Sequence, residues 1–421
     1  MSHVAIVGGG PAGLMAADVI SGAGQAVVVY DRMPSLGRKL LMAGRGGLNL
    51  AHSEPLDRQL ERYGDARPVL EAAIRAFPPA AVVAFVEALG QPTFVGSSGR
   101  IFPRAMKASP LLRAWISRLA GRGVQLRLRH RWLGLDAAGK PRFATPDGEI
   151  VNDGASAVVL ALGGASWPRL GSDGAWVPVL VDLGVGVTPL TPANAGILLP
   201  WSETFAARFA GTPLKRVRVV VEGEHHATGE LVVTRSGLEG GAVYAVSAVI
   251  ARAVSATAKA RLEVDLRRDL DISTLQVRLS APRGKQSVSN WLRKVVGLPP
   301  VAIALLREVH GSALPADPWG LAVAIKRLPL TTTGLGSLDR AISTAGGIRL
   351  DEVDEHMMLR RHPGILAAGE MLDWEAPTGG YLLQASLATG YAAGKGVLAY
   401  LARHAATGSP ARSQSTGGDA G

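Results

Sequence analysis

Residues 4–31 constrain this chain more than any other stretch. Val4 to Val7 is a short apolar run that ends in Gly8-Gly9-Gly10-Pro11-Ala12-Gly13, and Leu14 to Ile20 continues in a helix-compatible pattern. Gly22 and Gly24 close that helix, and Ala26 to Tyr30 reads as a second buried strand ending at Asp31. Strand, turn, helix and strand make a βαβ unit, so the chain opens with a parallel sheet. Gly8, Gly10 and Gly13 have the G-x-G-x-x-G spacing, and an acid stands 18 residues after Gly13. The first glycine permits the tight turn, the second lets a pyrophosphate approach the backbone, and the third lets helix and strand pack closely; the helix N-terminus stabilises the phosphates. Asp31, followed by Arg32, would accept hydrogen bonds from an adenosine ribose. These residues, with Pro11 and Ala12 in the turn, predict a dinucleotide site over 8–31.

Farther along, Leu56 to Leu89 is helical in pattern with turns at Pro68 and Pro78-Pro79, Pro110 to Gly121 is an amphipathic helix, and Val124 to Leu135 alternates like paired strands. The buried-strand pattern returns at Ala157 to Leu162, including Ala161, and runs into Gly163-Gly164, more than 120 residues after it began. From about Thr191 half-buried strands dominate, Val217 to Val221 and Glu230 to Thr234 most clearly, and from about Ile272 to Lys326 short helices. Gly364 to Ala368 reads as one more sheet strand and Ser386 to Arg403 as a closing helix. The first domain is therefore expected to be discontinuous, over 1–190 and 335–404. A strand-rich substrate domain is expected over 191–271 and 327–334, a small helical insert over 272–326, and a disordered Ser/Gly/Ala-rich tail over 405–421.

Length and composition narrow the chemistry. The 421 residues suffice for two or three domains. There is no cysteine, which excludes disulfides, thiolate metal sites, cysteine nucleophiles and dithiol redox pairs, so redox chemistry must come from a bound group. Lys and Arg number 45 against 34 Asp and Glu, and only nine of the 45 are Lys, leaving a net charge of +11 dominated by arginine. With the arginines dispersed, this surplus reads as solubility charge more than as a nucleic-acid footprint, and no RRM, KH or zinc signature accompanies it. No run approaches the ~18 apolar residues of a membrane span, and Met1-Ser2-His3 leads straight into a strand pattern without a basic leader, so a cytoplasmic location is expected. His225-His226 is no metal pair, because adjacent strand residues face opposite sides; no metal is expected.

Gly369-Glu370-Met371-Leu372-Asp373 and Thr378-Gly379-Gly380-Tyr381-Leu382-Leu383-Gln384 are more than a simple nicotinamide dehydrogenase needs. An acid after a strand can bind ribityl hydroxyls, and a Gly-Gly pair at a helix N-terminus can aim amides at the pyrimidine edge of an isoalloxazine. At these residues the chain resembles the YhiN/BaiN-like flavoproteins of bacteria, a family of NAD(P)/FAD-dependent oxidoreductases. The resemblance rests on Gly8 to Gly13, on Leu36 to Leu41 with Gly44 to Asn49, on Gly229-Glu230-Leu231 with Thr234 and Gly237, on Thr344 to Gly347, and on Ala368 to Asp373 with Thr378 to Gln384. It implies an α/β fold: a two-dinucleotide-type FAD domain of Rossmann-like form, interrupted by a β-barrel-like domain that itself carries a small helical domain. By position it further implies that Arg38, Lys39, Gly44, Arg45, Gly46 and Asn49 line the flavin, that Lys39 touches flavin or phosphate, and that Trp132 meets adenine through backbone atoms. Arg32, Ala161, Gly163, Gly164, Gly369, Glu370, Asp373, Gly379, Gly380, Tyr381 and Leu382 complete the expected cofactor set.

The chain also departs from that family's usual pattern. Leu48 occupies a position where many members carry cysteine, Leu238-Glu239-Gly240-Gly241 replaces a Ser-Gly-Pro segment, and Arg235 stands where histidine is common. These mark a divergent, cysteine-free subfamily whose substrate is not transferable from other members. Tyr381, His52, Glu239, Arg235 and Trp374 are the candidates for proton transfer, none with a decisive spacing. The leading expectation is hydride transfer between NAD(P)H, flavin N5 and a small organic substrate, with the nicotinamide visiting transiently because only one dinucleotide fingerprint exists. The alternatives are a flavin-dependent oxidase of a small amine such as aminoacetone, a basic FAD protein acting on nucleic acid, and a flavin-binding protein with a regulatory role.

Overall fold

The computed structural model describes residues 3–223 and 225–407. Five strands form a parallel sheet in the order Ile365–Ala367, Ala157–Leu160, Val4–Val7, Val27–Asp31 and Gln125–Leu128. In the first four the Val, Ile, Leu and Ala side chains are buried on both faces, as a sheet covered by helices on both sides requires, whereas the edge strand Gln125–Leu128 is half-exposed. On one face the helix Pro11–Gly22 packs against Tyr381–Thr407. The two backbones approach so closely that a Cβ on Gly390 would fall 2.3 Å from the Ala12 carbonyl oxygen. The closing helix begins at Tyr381, five residues before the start read from the sequence, because the Gln384 amide bonds directly to the Gly380 carbonyl. Residues 405–407 belong to this helix, and 408–421, the rest of the expected tail, lie outside the described residues.

The reading of Val124 to Leu135 as paired strands is corrected. Gln125–Leu128 runs parallel to Val27–Asp31, whereas Arg131–Leu135 opens a separate antiparallel sheet with Pro141–Ala144 and Ile150–Asn152. The two residues between them look like a hairpin loop in sequence, but Arg129 adopts φ +58° and its amide, with that of His130, bonds back to Met33 and Asp31. Alternation alone cannot tell a hairpin partner from a strand that leaves for another sheet.

The second body is an antiparallel sheet ordered Ile197–Leu198, Gly237–Glu239, His225–Thr234, Pro213–Val221, Ala260–Asp265 and Leu328–Thr332. A bridge from Ile197 to Leu335 and a hydrogen bond from Thr332 Oγ1 to the Leu198 carbonyl (2.7 Å) join its first and last strands, closing it into a barrel-like shape. Four helices, Ile272–Leu279, Val288–Val295, Pro300–His310 and Pro318–Lys326, are inserted between two of its neighbouring strands; Asp271, Ser287 and Asp317 cap three of them. The buried apolar residues separate into one cluster over 4–185 and 348–397 and a second over 197–330. The chain passes between the bodies in two strands, Val187–Ala193 and Ser343–Ile348, that pair with each other. The boundary drawn at 190 from the change of pattern thus falls inside a continuous strand.

Candidate dinucleotide and flavin site

The turn after the first strand is built as its glycines require. Gly8 has φ +110°, and a Cβ there would lie 2.2 Å from the Ala161 carbonyl oxygen. A Cβ on Gly13 would lie 1.9 Å from the Gly8 carbonyl oxygen, so the third glycine sets the helix–strand approach. At Gly10 a Cβ would meet nothing within 4 Å. That open space adjoins the N-terminus of Pro11–Gly22, whose first turn holds no acid. Unpaired N–H groups and the helix dipole there favour an anion.

Asp31 ends the second strand with both carboxylate oxygens engaged: Oδ2 accepts from the Gly9 amide and Oδ1 from the Met33 amide, each at 2.8 Å. Burial pushes its carboxyl above the ordinary aspartate range, outweighing the lowering by the Met33 and Gly9 amides and by Arg32 and Arg38. Arg32 donates from Nη2 to the Pro168 carbonyl (2.8 Å) and pairs through Nη1 with Asp173 (2.7 Å).

A cavity of about 270 Å3 runs from this turn to Gly369 and Glu370. Of the expected residues it is lined by Gly8, Gly10, Pro11, Ala12, Asp31, Arg32, Arg38, Lys39, Trp132, Ala161, Gly163, Gly369 and Glu370. Four lining residues hold buried polar atoms without a partner: Arg32 Nε, Arg38 Nε, Trp132 Nε1 and Ser172 Oγ. Buried donors and acceptors are rarely left unpaired, and among the described residues these four belong to side chains that line one cavity. With the opening at Gly10, they fit the phosphates and polar edges of a dinucleotide.

At the far end Lys39 Nζ bonds to Glu370 Oε2 and Ser166 Oγ, both at 2.6 Å, and Glu370 Oε1 accepts from the Thr344 amide at 3.0 Å. Gly164 sits against Thr344, where a Cβ would come within 2.4 Å of the hydroxyl. Sequence reasoning picked out Lys39 and Glu370 separately as cofactor contacts; the structure also binds them to each other. It missed Ser172, Asp173, Trp176 and His130, which line the cavity. The Gly171-Ser172-Asp173-Gly174 turn following Gly163-Gly164 was the one signal available for the first two.

The remaining expected residues stand outside the cavity. Gly44–Gly46 forms a 3-10 turn with Arg45 and Gly46 exposed, and Asn49 has a buried Oδ1 without a partner. Gly380 has φ +104°, and a Cβ there would strike the Ala51 backbone at 2.5 Å, which packs the glycine pair directly on that strand. Tyr381 donates to Glu54 at 2.5 Å, Arg62 grips the same carboxylate with Nη2 at 3.0 Å, and His52 stacks on the Tyr381 ring at 5.5 Å. Burial raises Glu54, but Arg62 and Tyr381 outweigh it and hold the carboxyl below its ordinary range; burial and then Glu54 push the Tyr381 hydroxyl upward. His52 accepts the Glu54 amide at Nδ1 and faces the Ser98 carbonyl with Nε2 (3.0 Å), so the proton sits on Nε2. Leu382 packs half-buried on the main core. Asp373 accepts from Thr188 Oγ1 at 2.5 Å, and Trp374 donates to the Gly369 carbonyl at 2.9 Å. Glu239 and Arg235 lie in the second body, at the hairpin around Gly237. The five proton-transfer candidates therefore do not form one cluster; His52 and Tyr381 alone meet.

A parallel sheet with a glycine turn opening a helix and an acid ending the next strand defines a Rossmann-type dinucleotide-binding protein. The profile of the HI0933-like protein Rossmann domain matches residues 2–396, and the chain belongs to that FAD-binding family. It is 27% identical over 410 residues to the 3-dehydro-bile acid delta(4,6)-reductase of Clostridium scindens, covering 94% of this chain and 98% of that protein. It is 24% identical over 407 residues to the ribosomal RNA dihydrouridine synthase of Escherichia coli, covering 94% and 97%. The structure of 3-ketosteroid delta1-dehydrogenase from Sterolibacterium denitrificans superposes with a TM-score of 0.53 at 12% identity, covering 94% of this chain and 99% of that one, a likeness of fold. Among the described residues no single helix is long and apolar enough to cross a membrane, and no group of three potential metal ligands occurs.

Proposed function

We propose that this chain is an FAD-dependent oxidoreductase of the cytoplasm that transfers hydride between the flavin and a small organic substrate at an activated C=C or C–N bond, with NAD(P)H as a transient donor. FAD, when bound, supplies the two-electron chemistry. The observation that carries the reading is the cavity with its opening at Gly10 and its four unpaired polar atoms. In this reading the turn amides hold the pyrophosphate and Asp31 the adenosine ribose. Glu370, neutralised by Lys39, offers acceptor capacity to the ribityl chain without an unbalanced charge. The amides of the glycine pair before the closing helix would hold the flavin's pyrimidine edge, and Tyr381, anchored by ionised Glu54, fixes the first turn of that helix. Two relatives are named for a reductase and for a synthase of a reduced uridine, which supports reduction of a conjugated double bond. The test is the visible spectrum before and after anaerobic NADPH. Bleaching of a flavin spectrum supports the nicotinamide-linked reading; an unbleached flavin that forms peroxide with aminoacetone would replace it by an amine oxidase.

A second reading, a nucleic-acid substrate for the same flavin, is favoured by the +11 charge together with the likeness to the ribosomal RNA dihydrouridine synthase.

A further inference from the structure

The charge surplus is uneven in a way that the spread of arginines along the whole chain conceals. Between Glu87 and Asp136 there are nine Arg or Lys and no Asp or Glu. Part of this run folds beside the flavin end of the site, where Arg100–Pro103 lies between Ala51–His52 and Thr93–Val95 in a three-stranded antiparallel sheet. Ile101 and Pro103 are buried, so Arg100 and Phe102 share the outward face, with His52 registered on Arg100 and Phe94 on Phe102. The Phe94 and Phe102 rings stack at 5.8 Å, and Phe94 is 36% exposed. A Cβ on Gly47 would lie 2.6 Å from Met106 Cε, so the turn that carries Arg45 adjoins the one that carries Arg104 and Lys107. Arg45, Arg100, Arg104 and Lys107 are exposed and have no side-chain partner among the described residues. Glu54, two residues beyond His52, is engaged by Arg62 and Tyr381, and Glu87 by Thr93.

We infer that this face docks a single-stranded polynucleotide, its phosphates on the four free cations and its bases on the Phe94–Phe102 platform. Unpaired cations interleaved with exposed aromatic rings are what sequence-tolerant single-strand binding requires. The face is open and separate from the cavity, which suits a polymer, whereas a small molecule needs a concave site. A second copy of this basic chain would set like charges against each other. At the inner end His52 stacks on Tyr381, so a strand lying on the face reaches the Gly379–Gly380 end of the site. The inference rests on the nucleic-acid reading above.

The test is fluorescence anisotropy of a fluorescein-labelled single-stranded RNA with the FAD-loaded protein over a series of NaCl concentrations, with the flavin spectrum recorded on each sample. The wild type is expected to bind with affinity falling as salt rises. The triple variant Arg100→Gln/Arg104→Gln/Lys107→Gln is expected to lose about 2 units of the log–log salt slope. Phe94→Ala is expected to bind about 5- to 150-fold more weakly with the slope unchanged. The flavin spectrum should stay constant throughout, which separates lost docking from lost fold. A yellow wild type that binds no RNA at low salt overturns the inference and leaves the flavin reading standing. So do variants that bind at wild-type strength. A colourless protein whose RNA binding depends on these residues would keep the inference and break the flavin reading.

Discussion

The two ends of the cavity are built by opposite means. At the Asp31 end one contiguous βαβ unit supplies the turn, the acid and the helix start: the carboxylate is held by the backbone amides of Gly9 and Met33, and the helix begins in the same turn. At the Glu370 end four separate segments meet, with Lys39 and Glu370 331 positions apart in the chain and Ser166 and Thr344 completing the network. The first end is a property of local sequence; the second exists only in the folded protein. Backbone geometry should therefore dominate one and side-chain coupling the other.

The largest expected effect breaks the local end. Gly13→Val would drive a side chain into the Gly8 carbonyl, and such overpacking against backbone costs about 3 kcal/mol or more; the variant should fail to accumulate as folded protein. Gly10→Val is the sharper contrast, because its side chain meets only the cavity. It should keep the circular dichroism and melting temperature of the apoprotein while weakening FAD uptake about tenfold or more. Equal loss of fold in both would show that the second glycine is structural.

The next effect addresses the coupled end. Glu370→Gln leaves the Lys39 ammonium unpaired, and because the two side chains are 15% and 27% exposed, the cost should be about 1–3 kcal/mol, below that of a fully buried pair. Lys39→Met/Glu370→Gln should cost less than the sum of the single changes in urea unfolding; strict additivity would remove the coupling.

That difference also decides what was legible. Residues 8–31 could be read because the contacts that shape the turn itself, Gly9 to Asp31 and Gly13 against Gly8, span 22 positions or fewer, and the structure keeps the strand, turn and helix where the pattern put them. Glu370 and Lys39 were each marked by motif, but nothing in one-dimensional spacing reveals that two residues so far apart will satisfy each other. The Gln125–Leu128 strand failed for a related reason: its partner, Val27–Asp31, is remote, and the near neighbour Arg131–Leu135 was the wrong one. The outward face of the Arg100–Pro103 sheet escaped because net charge was read over the whole chain and not over the surface it forms.

A smaller effect separates the carboxylates by pH. Asp31 is raised by burial, so the folded apoprotein keeps its proton to higher pH than the unfolded chain; the associated stability is present in acid and lost as pH rises through the raised value. The stability of the wild type relative to Asp31→Asn should thus fall as pH increases from the ordinary aspartate range, and a pH-independent difference in urea unfolding would count against burial as the dominant cause. Glu54 has the opposite sign: its lowered value gives stability that is present above the ordinary glutamate range and disappears as pH falls through it. The smallest effect is Tyr381→Phe, which removes one donor while Arg62 still holds Glu54; a loss of about 1 kcal/mol or less is expected by urea unfolding.

The most direct measurement of the central claim is the released-cofactor content of purified wild-type and Gly10→Val protein, by visible spectrum and mass of the extracted flavin, with folding followed by circular dichroism. One FAD per chain is expected in the wild type, and a folded but colourless variant. A wild type that neither contains nor takes up FAD, or a variant that retains it in full, would contradict the assignment of this cavity.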